Sequence, residues 1–177
     1  MYQDNFTCYE NLLIMRHAKS SWEFTDLSDH DRPLNNRGKR DAPRMGKVLL
    51  KERLVPQLII SSSAARARST AEKVAKTSHY SGEISVESSL YRAGSSAYLN
   101  ALRHLTNPYD TVLIVGHNPD VEHLVEILTG NAMTMPTCGL AYVKLSIERW
   151  LDLKDDKVGE LAKMWRPKEL TRGDYSI

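Results

Sequence analysis

Along the chain, short unbroken apolar runs alternate with longer stretches in which apolar positions recur every three or four residues. An unbroken run such as Leu12–Leu13–Ile14–Met15 suits a strand covered on both faces, whereas the three-and-four spacing marks one buried helix face. The runs predict strands over residues 11–15, 57–61, 84–87, 111–116 and 140–146, with a further one around 161–165. The helical spacing predicts helices near 37–54, 64–77, 95–105 and 119–128. Strands alternating with helices point to an α/β domain built on a largely parallel sheet.

Some helix ends are legible. Asn118 before Pro119 reads as an N-cap with proline at the first helical position, and Gly130 reads as a stop. Pro43 would fall in the second turn of a helix begun at Arg37 and remove a backbone hydrogen bond, so the pattern predicts a kink or a later start near Asp41. No fixed-period repeat, low-complexity tract or linker interrupts the chain, and residues 1–10 and 167–177 read as loose termini of a single domain.

Bulk composition narrows the function classes. At 177 residues, with no apolar run long enough to cross a bilayer, the chain is expected to be soluble. The N-terminal "MYQDNFTCYE" lacks the basic cluster and apolar core of a signal peptide, which predicts a cytoplasmic location. Cys8 and Cys138 form no CxxC pair and are expected to be reduced. A formal net charge of +2 is too mild for a nucleic-acid partner. The densest basic row, Arg37, Arg40, Arg44, Lys47 and Lys51, has helical spacing opposite Met45 and Leu49 and reads as a solvated face without interleaved aromatics.

Candidate chemistry collects where predicted strands end. "RHAKS" follows the first, "SSSAARARSTA" the second and "GHNPD" the fourth, which brings His17, His117, Arg16, Arg66 and Arg68 to the carboxyl ends of one sheet, where α/β proteins bind ligands. Two imidazoles among guanidinium groups and helix N-termini fit a phosphate oxyanion. The guanidinium charges would keep a histidine neutral and nucleophilic, and positioning with charge neutralisation is most of what phosphoryl transfer needs. Each cluster alone has a bland reading: a surface Arg-His pair, a solvated first turn, a capped helix start. Their shared position at the ends of one predicted sheet favours a site.

Other chemistries fit less well. His117 and His123 in "GHNPDVEH" lie six residues apart, roughly 240° around a helix, so they cannot share a metal as an HExxH pair does. No GxSxG supports a serine hydrolase, and no GxxxxGK supports a nucleotide-binding P-loop.

With those residues in view, the chain resembles the histidine phosphatase superfamily, of phosphoglycerate mutase-like fold, and within it the short branch typified by SixA, a phosphohistidine phosphatase. "MRHAKSSW", "DHDRPLNNRG", "SSSAARARSTAE" and "VGHNPD" are similar to four family motifs in the family's order. The resemblance implies a three-layer α/β/α sandwich with a mostly parallel central sheet, no cofactor and no metal. It implies His17 as phosphate acceptor, Arg16 and Arg66 as ligands of the phosphoryl oxygens, His117 completing the pocket, and Arg32 as a further phosphate ligand. Lys19, Ser20 and Asn118 are the remaining candidate substrate contacts, while Trp22 and Trp165 either frame the cleft or pack.

One departure matters. Mutase-like members protonate the leaving group with an acid after the third strand, where "SSLYRAG" offers Tyr91 and Arg92. Asp26, Asp29, Asp31 and Asp120 are the acids that could fold inwards instead. An imidazole leaves with less help than an alkoxide. The expected function is therefore phosphohistidine hydrolysis through a covalent intermediate on His17, with a phosphorylated protein or small phosphorylated molecule as partner. A general phosphomonoesterase and a non-catalytic phosphoprotein-binding module are the alternatives.

Overall fold

Leu12, Leu13, Ile14 and Met15 are all fully buried, as a strand covered on both faces requires. They form the middle of strand β1 (Glu10–Arg16) in a computed structural model that describes residues 10–106 and 108–176. The expectations for Cys8 and for a loose N-terminus fall outside the described residues, apart from Glu10, which begins β1.

After β1 come α1 (Asn36–Lys51), β2 (Leu58–Ser62), α2 (Ala65–Ser78), β3 (Ile84–Glu87) and α3 (Ser95–Arg103), then β4 (Thr111–Gly116), α4 (Asp120–Thr129), β5 (Leu140–Leu145), β6 (Gly159–Trp165) and α5 (Arg172–Tyr175). The strands form one sheet in the order β3-β2-β4-β1-β5-β6. Pairings among β1 to β4 are parallel, and β5 and β6 are added through antiparallel pairings.

Alternation along the strands sorts the core into two halves. Leu12, Ile14, Val112 and Ile114 pack with Tyr98 and Leu102 of α3 and Leu124 and Leu128 of α4. Leu13, Met15, Leu113 and Val115 pack with Met45 and Leu49 of α1 and Ala71 and Val74 of α2. The result is the three-layer α/β/α arrangement expected from the sequence.

Three local readings need correction. Helix α1 starts at Asn36 and runs through Pro43, with Asn35 as its cap: Asn35 Oδ1 accepts from the Gly38 amide at 3.0 Å. The Thr77 hydroxyl of α2 lies 2.9 Å from the Pro43 carbonyl, so α1 meets α2 at this turn. Helix α4 starts at Asp120, and Asn118 is not its side-chain cap, because its Nδ2 donates to Glu122 Oε1 at 2.6 Å and to the Met135 carbonyl at 3.0 Å. The C-terminal segment is docked: Leu170 and Tyr175 pack on the α1–α2 core, and Thr171 caps α5 with Asp174. Gly130 does end α4, in the left-handed conformation that suits glycine.

Candidate active site

The register of the two central strands builds the site. Arg16 of β1 pairs with Gly116 of β4, so the residues that follow, His17 and His117, leave the sheet side by side. Their ring centroids are 5.0 Å apart, and both rings are buried. The His17 amide still donates to the Gly116 carbonyl at 2.9 Å, while the Cys138 amide holds the carbonyls of Arg16 and His17 at 3.1 and 3.0 Å. Gly116 is needed here, since a Cβ would overlap the Tyr98 ring. The Tyr98 hydroxyl accepts from the His117 amide at 3.2 Å and donates to the Leu90 carbonyl at 3.1 Å.

Arg66, in the first turn of α2, lies between the imidazoles. Its Nε donates to His17 Nε2 at 3.2 Å, and a terminal nitrogen donates to His117 Nδ1 at 3.4 Å. An arginine cannot accept, so both ring nitrogens facing it carry lone pairs. The tautomers follow. His17 Nδ1–H donates to the Ala18 carbonyl at 2.8 Å, and His117 Nε2–H donates to Ser62 Oγ at 2.8 Å.

Both imidazoles are held neutral. Burial is the largest cause for each. For His17 the neighbouring His117, Arg66 and Arg16 add to it against the opposing Ala18 hydrogen bond, and the pKa falls to about 3. For His117 the Arg66 charge adds to burial and the pKa falls to about 4.

Asp29 is the anion of the site. Arg66 donates to its Oδ2 at 3.1 Å, Arg32 to its Oδ1 at 3.0 Å and the Tyr91 hydroxyl to Oδ2 at 2.8 Å, with Arg92 at 3.7 Å. Partial burial works to raise its pKa, but the Tyr91 hydrogen bond and the Arg66 and Arg32 charges outweigh it and hold the carboxylate ionised. Tyr91 and Arg92 thus hold an acid from another loop. Asp29, Arg66, Tyr91, His117, Asn118 and Asp120 line a cleft of about 410 Å³.

The other candidates are distributed unevenly. Arg16 donates from one terminal nitrogen to the Met135 carbonyl at 2.9 Å. Arg16 Nε and Arg32 Nε and Nη1 are buried without a hydrogen-bond partner among the described residues, which leaves charged donors for an anion. Trp22, 70% exposed, lies over the Arg32 guanidinium at 3.4 Å, whereas Trp165 is core. Ser20 is buried and bridges Leu34 through its backbone, and Lys19 supports the start of α1 through its carbonyl. Neither of their side chains hydrogen-bonds the histidines among the described residues. Asp26 is exposed, Asp31 is taken up by Ser28 and His30, and Arg68 points to solvent.

Several members of the site escaped the sequence reading. Thr70 Oγ1 accepts from the Ala18 amide at 2.9 Å and donates to the Arg66 carbonyl at 2.6 Å, tying the loop after His17 to the arginine. Its place four residues after Arg66, on the same helix face, was the available signal. Ser62 and Tyr98 act through pairings between distant segments, which no local pattern announces.

The family model of the histidine phosphatase superfamily (branch 1) matches residues 12–91. An uncharacterised chloroplast protein of Arabidopsis thaliana is 31% identical over 148 residues, which are 78% of this chain and 68% of that one. A solved structure from Agrobacterium tumefaciens, assigned as the phosphohistidine phosphatase SixA, is 28% identical with a TM-score of 0.77, over 89% of this chain and 98% of that one. Protein histidine phosphatase SixA complexed with tungstate shares the fold, at 24% identity and a TM-score of 0.77, over 91% of this chain and 99% of that one. The chain belongs to the histidine phosphatase superfamily, with the phosphoglycerate mutase-like fold of the SixA structures.

Proposed function

We propose that the protein hydrolyses phosphohistidine through a covalent intermediate on His17, without metal or cofactor. The observation that carries this reading is the unprotonated His17 Nε2 facing Arg66, with the ring fixed from behind by Ala18. Arg66 and Arg32 already share one anion, Asp29. A phosphoryl group competing for the same donors, with Arg16 beside it, would have its charge neutralised by guanidinium groups alone.

The steps follow from these positions. His17 Nε2 attacks phosphorus, the phosphorus–nitrogen bond of the substrate breaks with its electron pair returning to nitrogen, and the substrate imidazole, already protonated on its other ring nitrogen, leaves neutral. The His17 Nδ1–H bond to Ala18 supports the positive charge of the phosphorylated ring. Water then attacks phosphorus, its proton passes to solvent, and phosphate leaves as the bonding pair returns to His17 Nε2. His117 acts as a positioning residue, fixed by Ser62 and accepting from Arg66.

An ionised Asp29 makes the free site poor in acid, which favours an imidazole over an alkoxide as leaving group. Support for the substrate class also comes from likeness to the Agrobacterium SixA structure. We place the protein in the cytoplasm as a single domain acting on phosphorylated proteins or small molecules, with no nucleic-acid or membrane partner. Among the described residues, no helix is long and apolar enough to cross a membrane, and Cys138 is a buried free thiol.

A second reading, phosphomonoester hydrolysis, is favoured by the position of Asp29. A phosphoryl group that took over Arg66 and Arg32 would remove two of the charges that, with the Tyr91 hydrogen bond, keep Asp29 ionised and would add like charge, which moves Asp29 towards serving as an acid for an alkoxide. The test compares kcat/KM on a phosphohistidine peptide and on sugar phosphates for wild type and Asp29→Asn. The first reading predicts preference for the peptide and a change of only a few-fold in the variant. Preference for the esters, with a loss of about 10²-fold in the variant, would establish the second.

A further inference from the structure

The arginine row of α1 is not simply a solvated face. Arg37, Arg40 and Arg44 face the segment after β6, and together with Arg166 and Lys168 they line a cleft of about 530 Å³ whose remaining charges are Asp41 and Glu169. Asp41 is buried and holds the row in place, with Arg40 at 3.0 Å, Arg44 at 3.9 Å and Arg37 at 4.0 Å. Arg166 lies 3.6 Å from Glu169. Five basic groups against two acids leave an excess of three positive charges in a chain whose formal net charge is only +2. Positive charge is therefore concentrated at this cleft as well as among the arginines around Asp29.

Its place in the fold ties it to the reaction. Arg37 opens α1, Arg166 follows β6 and Thr137 precedes β5, so the cleft lies at the sheet end from which His17 and His117 emerge. Arg37 donates to Thr137 Oγ1 at 3.0 Å. The next residue, Cys138, holds the carbonyls of Arg16 and His17, and Met135 accepts from Arg16. The 135–138 loop thus separates the basic cleft from the histidines, and a ligand that uses both must straddle it. The row from Arg37 to Arg44 spans ~10 Å of helix, the length of about three residues of extended chain.

We propose that this cleft docks an acidic segment of the phosphorylated protein whose phosphohistidine enters the His17 site, an inference that rests on the phosphohistidine reading above. Carboxylates of such a segment pair with Arg40, Arg166 and Lys168, steer the encounter and fix the orientation of the phosphorylated residue. A small phosphorylated molecule reaches only the His17 side of the loop and gains nothing from the cleft.

The test uses two phosphohistidine peptides that differ only in an acidic or a neutral flank, together with free phosphohistidine. The acidic peptide is expected to have kcat/KM about tenfold higher at low salt, with the advantage fading as salt is added. Lys168→Glu and, separately, Arg40→Gln should remove most of that advantage while leaving turnover of free phosphohistidine unchanged. Lys168 makes no ion pair among the described residues, so its variant tests the cleft without disturbing Asp41. Equal turnover of the two peptides at low salt, or an advantage that survives both variants, would overturn the proposal. Titration of the unphosphorylated acidic peptide separates this claim from the catalytic one. Salt-sensitive binding lost in Lys168→Glu supports docking even if no phosphohistidine is hydrolysed, and absence of binding beside normal hydrolysis defeats docking alone.

Discussion

His17 carries its chemistry on one atom. With Nδ1–H committed to the Ala18 carbonyl, Nε2 is the ring nitrogen whose lone pair can bond phosphorus once Arg66 turns from it to the phosphoryl oxygens. His17→Ala should abolish turnover of every phosphate substrate while the thermal midpoint stays within a few degrees of wild type. Arg66→Gln is expected to lower kcat by about 10² to 10³, the scale of a lost oxyanion donor. Both are read from steady-state kinetics beside a melting curve. At this scale the sequence was informative about groups that sit on motifs and silent about their partners. His17, His117 and Arg66 touch one another, and Arg32 joins them through Asp29. Lys19 and Ser20 do not join them, because their backbone is used to close the loop onto α1. Asp29 could be named only as one of four acids, since the choice depends on Tyr91 and Arg92, sixty-odd residues away in sequence.

At the scale of elements, the site depends on a parallel register and on how tightly α1 and α2 meet. Gly46 lies at that meeting, where an added Cβ would overlap Thr77 Oγ1 and the Val74 carbonyl. Because the obstacle includes backbone, the helices must move apart. Gly46→Ala should therefore cost about 1 to 3 kcal/mol, seen as a lower denaturant midpoint, in spite of the better helix propensity of alanine. Strands and helices were legible because burial on both faces writes unbroken apolar runs and burial on one face writes a three-and-four spacing. The path of α1 through Pro43 was not, because α1 packs there against α2, a neighbour distant in sequence. Docking of the tail was hidden for a related reason: Leu170 and Tyr175 are too sparse to signal a core until the core they join exists.

For the whole molecule, two buried neutral histidines make stability depend on pH. Their native pKa values of about 3 and 4 lie below the ordinary 6.5, so between these limits the unfolded chain binds protons that the native state refuses. Stability is complete above about pH 6.5 and falls as pH drops towards 4. Unfolding free energy measured against pH should rise between about pH 4 and 6, and His17→Gln should lower that slope by about one proton. The same values predict that the rate of phosphoenzyme formation shows no loss of nucleophile near pH 6.5, where an exposed histidine would titrate.

The most direct test of the account is a single-turnover reaction with a radiolabelled phosphohistidine peptide, quenched in alkali where phosphohistidine survives, followed by mapping of label on the protein. The account predicts label on His17 that chases into free phosphate, and no label in His17→Ala. Phosphate release with no label at His17, or label settling on another residue of folded protein, would contradict it.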